Sequence, residues 1–218
     1  HSTISKMAWV YLQKTASIKA ELAGLKNINI WLTLAVGAIG FGGMFSIYSY
    51  VSPILTEYTH TVIRIVPIAL AICGVGMVIG GLVSGWLADK SLFKTMIGIL
   101  VSSALAFVLA SFMMSNLYTA ITALFLIGFT VIGLGGALQT HLMDIADDAQ
   151  TLAASLNHSA FNLANALGTF LGGWVLSHNM GWLAPIWVGF VLSLGGLAIL
   201  LIALAYAKYT QKNQSAVS

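Results

Sequence analysis

Between Arg64 and Asp89 the chain reads Val66-Pro-Ile-Ala-Leu-Ala-Ile-Cys-Gly-Val-Gly-Met-Val-Ile-Gly-Gly-Leu-Val-Ser-Gly-Trp-Leu-Ala88, with no charged residue inside the run. Wound as an α-helix rising about 1.5 Å per residue, such a run spans the roughly 30 Å of hydrocarbon in a bilayer. In lipid the backbone must satisfy its own hydrogen bonds, so the run is a helix. The alternating pattern of a membrane-barrel strand is absent.

Runs of the same kind recur on both sides of it. Spans are predicted at about 28–51 (stopping before Pro53), 66–88, 95–114 (then Ser115 and Asn116), 118–138, 152–176 and 182–207 (ending at Lys208). The fold class is therefore an all-α membrane protein, a six-transmembrane-helix bundle over residues 27–207. A polar linker, 1–26, precedes it and a tail, 208–218, follows. Composition agrees: 59% of residues are apolar and 7% charged, whereas a soluble domain is nearer a quarter charged. None of the six acids (Glu21, Glu57, Asp89, Asp144, Asp147, Asp148) falls at the centre of a span. The solvent of this fold is lipid, and the bilayer is its first partner.

Orientation follows from where the cations fall. With six spans, the linker, the 89–94 loop, the 139–150 loop and the tail share one side. That side holds Lys6, Lys14, Lys19, Lys26, Lys90, Lys94, Lys208 and Lys212, and the other holds only Arg64. Both ends of this segment are expected in the cytoplasm. The net charge of +3 is scattered over helix ends, with no patch for nucleic acid. Cys73, the single cysteine, lies within an apolar run and reads as a packing residue. The chain opens at His1 without an initiator methionine, which leads us to expect a missing N-terminal half.

Loops are short, so function must lie in the bundle. Glycine numbers 22 and is unevenly placed. Gly76, Gly80, Gly81, Gly168 and Gly172 stand at spacings that let helix backbones approach closely. Such surfaces pack helices together and identify no substrate. By glycine density, spans one, two, four and five are expected inside and spans three and six against lipid.

The fifth span is the most polar. His158, Asn162, Asn165 and Thr169 follow i, i+4, i+7, i+11, one helical face, with Phe161 beside it. Polar side chains at membrane depth are unfavourable unless paired or wetted. The stripe fits a helix lining a water-accessible cavity, and the alternative is hydrogen-bonded glue between helices. His158 could titrate near neutral pH, and a simple polar contact explains it as well. Tyr48 and Tyr50, near a span end, fit an interfacial aromatic belt or a stacking wall for a substrate. Gln139 and Thr140 read as helix-end solvation. No phosphate loop or metal-ligand cluster is present, so no cofactor, metal or catalytic residue is expected.

Several stretches resemble one family. Gly81-Leu-Val-Ser-Gly85-Trp-Leu-Ala-Asp89-Lys90 resembles the loop motif of the major facilitator superfamily, G-x-x-x-D-R/K-x-G-R/K. Gly42-Gly-Met-Phe-Ser-Ile-Tyr-Ser-Tyr50-Val-Ser-Pro53-Ile-Leu-Thr-Glu57 resembles the seventh helix of its drug:proton antiporter branch. Leu138-Gln-Thr-His-Leu-Met-Asp144 and Ala154-Ser-Leu-Asn-His-Ser-Ala-Phe-Asn-Leu-Ala-Asn-Ala-Leu-Gly168 are similar to helices ten and eleven of arabinose-efflux-permease-like members. The resemblance implies the C-terminal half of a bacterial inner-membrane transporter, with a missing N-terminal six-helix half as partner. It implies proton-coupled efflux of a small molecule, a drug or a sugar, by alternating access, and no enzymatic activity. It also implies a cytoplasmic gate loop at Gly85, Asp89 and Lys90. The motif's later glycine is Leu92 here and the next basic position is Phe93. Proton-coupling acids belong to the absent half. Rival expectations are a six-span half acting as a homodimer and a non-transporting scaffold. An intramembrane serine protease would need G-x-S-G, and around Ser84 its first glycine is Leu82.

Overall fold

The computed structural model describes residues 27–146 and 150–215. The 1–26 linker, Asp147, Asp148 and the end of the tail fall outside the described residues. Every regular element among those described is helical. The first span is made of α1 (Ile28–Gly40) and α2 (Gly42–Tyr48), followed by the single turn α3 (Val51–Pro53) and a π-helical turn, Ile54–Tyr58. After a 3-10 turn at Ile63–Ile65 come α4 (Val66–Lys90), α5 (Leu92–Met113), α6 (Leu117–Val131), α7 (Gly133–Ile145), α8 (Gln150–Ser177) and α9 (Ala184–Ser215). Among the described residues, five segments are long and apolar enough to cross a membrane, with α6 and α7 together making one of them. The sixth long helix, α8, has 28 residues and carries the polar stripe.

Helix ends have local causes. Asn27 accepts a hydrogen bond from the Asn29 amide at 3.0 Å, and Asn116 accepts one from the Tyr118 amide at 3.0 Å. Each side chain satisfies a first-turn donor that the helix itself cannot. Pro67 opens α4, where its missing N–H removes no helical bond. Ser91 alone divides α4 from α5, with an extended backbone (φ −163°, ψ 97°). Asn179 and Gly181 take left-handed φ of 56° and 92°, reversing the chain between α8 and α9.

Two spans predicted as single runs are interrupted. Phe41 separates α1 from α2, and Ile132 separates α6 from α7. At each break one bond shortens to i→i+3: Met44 N–H to the Phe41 carbonyl (3.1 Å) and Gly135 N–H to the Ile132 carbonyl (3.3 Å). Both breaks fall in glycine-rich sequence, where helical order is weakest. They also meet in space, since a β-carbon at Gly135 would lie 3.0 Å from the Phe41 ring and one at Gly40 would lie 3.0 Å from Leu134.

Packing is backbone to backbone. The buried residues of α4 (Val66, Ala69, Cys73, Gly76, Gly80, Ser84) form one seam, which packs on α6. A β-carbon at Gly76 or Gly80 would overlap the carbonyl oxygens of Phe125 or Phe129, and one at Gly128 would overlap that of Cys73. A second seam joins α2 to α8, where Gly168 meets the Gly42 carbonyl and Gly172 would place a β-carbon 2.7 Å from that of Ser46. Gly81 is looser, since a β-carbon there would meet only the Ile132 side chain at 3.7 Å, and one at Gly85 would meet nothing beyond its own helix within 4 Å.

Within this half, burial does not follow glycine density. The most apolar stretch of α4 is 28% buried, no more than that of α9, whereas α5 reaches 50% and the first span 72%. A glycine stripe marks how closely one face approaches its neighbour and leaves the other faces open. Conversely, α9 is held by glycine too: Gly189 abuts Phe107 of α5, and Gly196 approaches Gly40 of α1.

Candidate functional site

Helix α8 presents two unlike faces. Ala153, Ala160, Ala164, Gly168, Gly172 and Val175 are buried, forming the small-residue side that packs on α1 and α2. His158, Asn162 and Asn165 are exposed on another side. Close packing on the first face thus fixes the rotation of the helix and with it the direction of the polar stripe.

The stripe is tied to α2 at one end. The Thr169 hydroxyl lies 2.8 Å from that of Ser49 and 3.3 Å from Asn165 Oδ1. Tyr50 donates its hydroxyl to the Thr169 carbonyl at 2.8 Å. At the other end Asn157 Nδ2 donates to Gln139 Oε1 of α7 at 2.6 Å. Between these ties, Phe161 stands edge-on to Phe41 and Phe45, with ring centroids 5.2 Å away in both pairs. The aromatic ring is held in orientation while 37% of the residue stays exposed. Edge-to-face pairs of this kind contribute about 0.5–1.5 kcal/mol beyond area burial.

The sequence candidates therefore separate into two places. Phe161, Asn165 and Tyr50 are brought together through Thr169 and the phenylalanine cluster, with Asn162 and His158 continuing the same face. Tyr48 lies on α2 next to Ser49 and is 44% exposed. Gly85, Asp89 and Lys90 lie at the far end of α4, away from this face. There Asp89 is exposed, and the Lys90 ammonium sits 3.3 Å from the centroid of the Trp86 ring.

Sequence reasoning missed three contributors. Gln139 is a hydrogen-bond partner inside the bundle rather than a solvated helix end. Phe41 and Phe45 buttress Phe161, and their four-residue separation, one helical face, was a legible signal. A separate hollow of about 640 Å³ lies between Trp174, Trp182 and Trp187. Its aromatic walls lack the amide donors and acceptors that the α8 stripe offers. Chemically, the stripe is a row of amides and hydroxyls beside an oriented aromatic ring. Such a surface can hold a polar or amphipathic molecule by hydrogen bonds and stacking.

Comparison with known proteins gives this geometry a context. Residues 34–217 match the family described as Major Facilitator Superfamily. Inner membrane transport protein YdhP of Escherichia coli (strain K12) is 34% identical over 191 residues, covering 88% of this chain and 49% of the relative. Uncharacterized MFS-type transporter YfhI of Bacillus subtilis (strain 168) is 34% identical over 159 residues, covering 72% and 40% respectively. A chloramphenicol resistance protein of Streptomyces lividans is 26% identical over 173 residues, covering 78% and 43%. The chain spans about half the length of the curated relatives it matches.

Proposed function

This chain belongs to the Major Facilitator Superfamily, a family of transporters rather than enzymes, and from that membership we propose that it is half of a proton-coupled efflux transporter. In this proposal a second six-helix half, preceding this one in the whole protein, faces the polar side of α8. The two halves enclose a solute path and expose it alternately to either side of the membrane.

The observation that carries the proposal is the exposure of Asn162 and Asn165 on a helix of a lipid-embedded bundle. Amides at membrane depth require water or a polar partner, and a solute path supplies both. Phe161, oriented by Phe41 and Phe45, supplies a stacking edge for an amphipathic solute. The name of the Streptomyces relative, a chloramphenicol resistance protein, supports a small drug-like solute. Asp89 and Lys90 would act at the cytoplasmic gate, with the lysine-rich side of the bundle inward. The name of the Escherichia coli relative, an inner membrane transport protein, supports placement in a bacterial inner membrane.

The test is efflux of labelled chloramphenicol by the whole native protein in proteoliposomes under an imposed pH gradient. Asn162→Ala with Asn165→Ala should lower flux about tenfold or more, as loss of two hydrogen bonds implies, while the melting temperature holds. Flux indifferent to the double substitution would remove α8 from the path. Flux indifferent to the pH gradient would remove proton coupling.

A further inference from the structure

The hydrogen bonds that tie α8 to α2 have a direction. Thr169 has one hydroxyl proton, and it is donated to Asn165 Oδ1 at 3.3 Å, an oxygen that can only accept. The Ser49 hydroxyl, 2.8 Å from that of Thr169, is therefore the donor in its own bond. Donation runs from Ser49 through Thr169 to the Asn165 carbonyl oxygen. In a setting poor in water each link polarises the next.

Thr169 is held in place for this by its backbone. Tyr50 donates to its carbonyl, and the Tyr50 ring lies in a notch at Gly172 and Gly173, where a β-carbon would meet the ring or its hydroxyl. With the Asn165 oxygen committed to Thr169, the two N–H groups of its amide are left without a partner among the described residues. Asn162, on the same face, has no hydrogen-bond partner among the described residues either, and can turn either end of its amide outward. Neither α2 nor α8 carries a carboxylate. The one amide of the stripe whose orientation is fixed is thus a neutral donor.

We propose that Ser49 and Thr169 are positioning residues that set solute specificity. By holding the Asn165 oxygen they present its N–H groups to the path, which selects neutral solutes bearing a hydrogen-bond acceptor, a carbonyl or nitro group, over those bearing an amine at the same place. The proposal rests on the reading of this α8 face as part of a solute path. Thr169 acts through Asn165 and not on the solute itself. A donor-bearing solute meets an N–H where it needs an oxygen, and a polar group is left unpaired.

The test is transport, by the whole native protein in proteoliposomes, of chloramphenicol and of its analogue with the nitro group reduced to an amine. That arylamine is uncharged at neutral pH, so the pair compares acceptor with donor and not charge. Wild type should favour the nitro compound about tenfold in kcat/KM, as one unmatched polar group implies, with the difference carried in KM. Thr169→Val keeps the Tyr50 bond, which is made to the backbone, but frees the Asn165 amide to turn. It should bring the ratio below about threefold. Thr169→Ser should restore the tenfold ratio, a rescue that packing alone would not give. If Thr169→Val misfolds, Ser49→Ala serves, since it removes the donor that commits the Thr169 proton to Asn165. A ratio near one in wild type, or one unchanged in the variants, would overturn the proposal and leave the solute path standing. Transport of neither compound would remove the reading it rests on, and the proposal with it.

Discussion

Gly168 of α8 rests directly on the backbone carbonyl of Gly42 in α2, leaving no room for a β-carbon between the two helices. This contact sets the helix rotation that turns Asn162 and Asn165 outward, so packing and solute chemistry share one helix and divide its faces.

Substitution at that contact should be felt as overpacking. Gly168→Ala is expected to destabilise the bundle by about 1–3 kcal/mol. Gly74→Ala, where nothing lies within 4 Å of the added methyl, should be neutral or stabilise by up to about 1 kcal/mol. Denaturation in mixed micelles separates them, and equal effects would refute the close-contact account.

The Asn157–Gln139 bond joins α7 to α8 and should couple them modestly. A double-mutant cycle with Asn157→Ala and Gln139→Ala is expected to give about 0.6 kcal/mol, and no more than about 1.7, the range for side-chain bonds in membranes. A coupling near zero would show that the amides prefer other partners in lipid.

Water access distinguishes a solute path from hydrogen-bonded glue. Cys73, 3% exposed in the α4 seam, should resist a membrane-impermeant thiol reagent in the folded protein. Asn165→Cys in the whole transporter should label, and a saturating solute should slow the labelling. Failure of Asn165→Cys to label would assign the stripe to helix association.

Much of the fold was legible because lipid imposes simple rules. The uncharged run from Val66 to Ala88 became the body of α4, and the polar run from Leu152 to Leu176 lies inside α8. The breaks at Phe41 and Ile132 were not legible, since Phe and Ile are ordinary helical residues and the interruption depends on neighbouring helices meeting there. The α8 stripe followed from spacing alone, because helical period fixes which residues share a face. Its partners did not: Gln139 is 18 positions from Asn157 and Ser49 is 120 from Thr169, separations that local periodicity cannot bridge. The buttress of Phe161 by Phe41 and Phe45 was half-visible, as two rings on one face with no stated target.

The paired interruptions have a mechanical consequence. The segments α1 and α7, on one side of the breaks, are each 13 residues long, and Asn27 at the start of α1 reaches the Ile145 carbonyl at the end of α7. The two columns are therefore level at their bases and jointed at the same height, like a pair of struts hinged on a common line. Joints at different heights would brace each other. Joints at one height leave a single compliant storey, about which the lower part of the bundle can tilt while the unbroken α4, α5, α8 and α9 flex along their length.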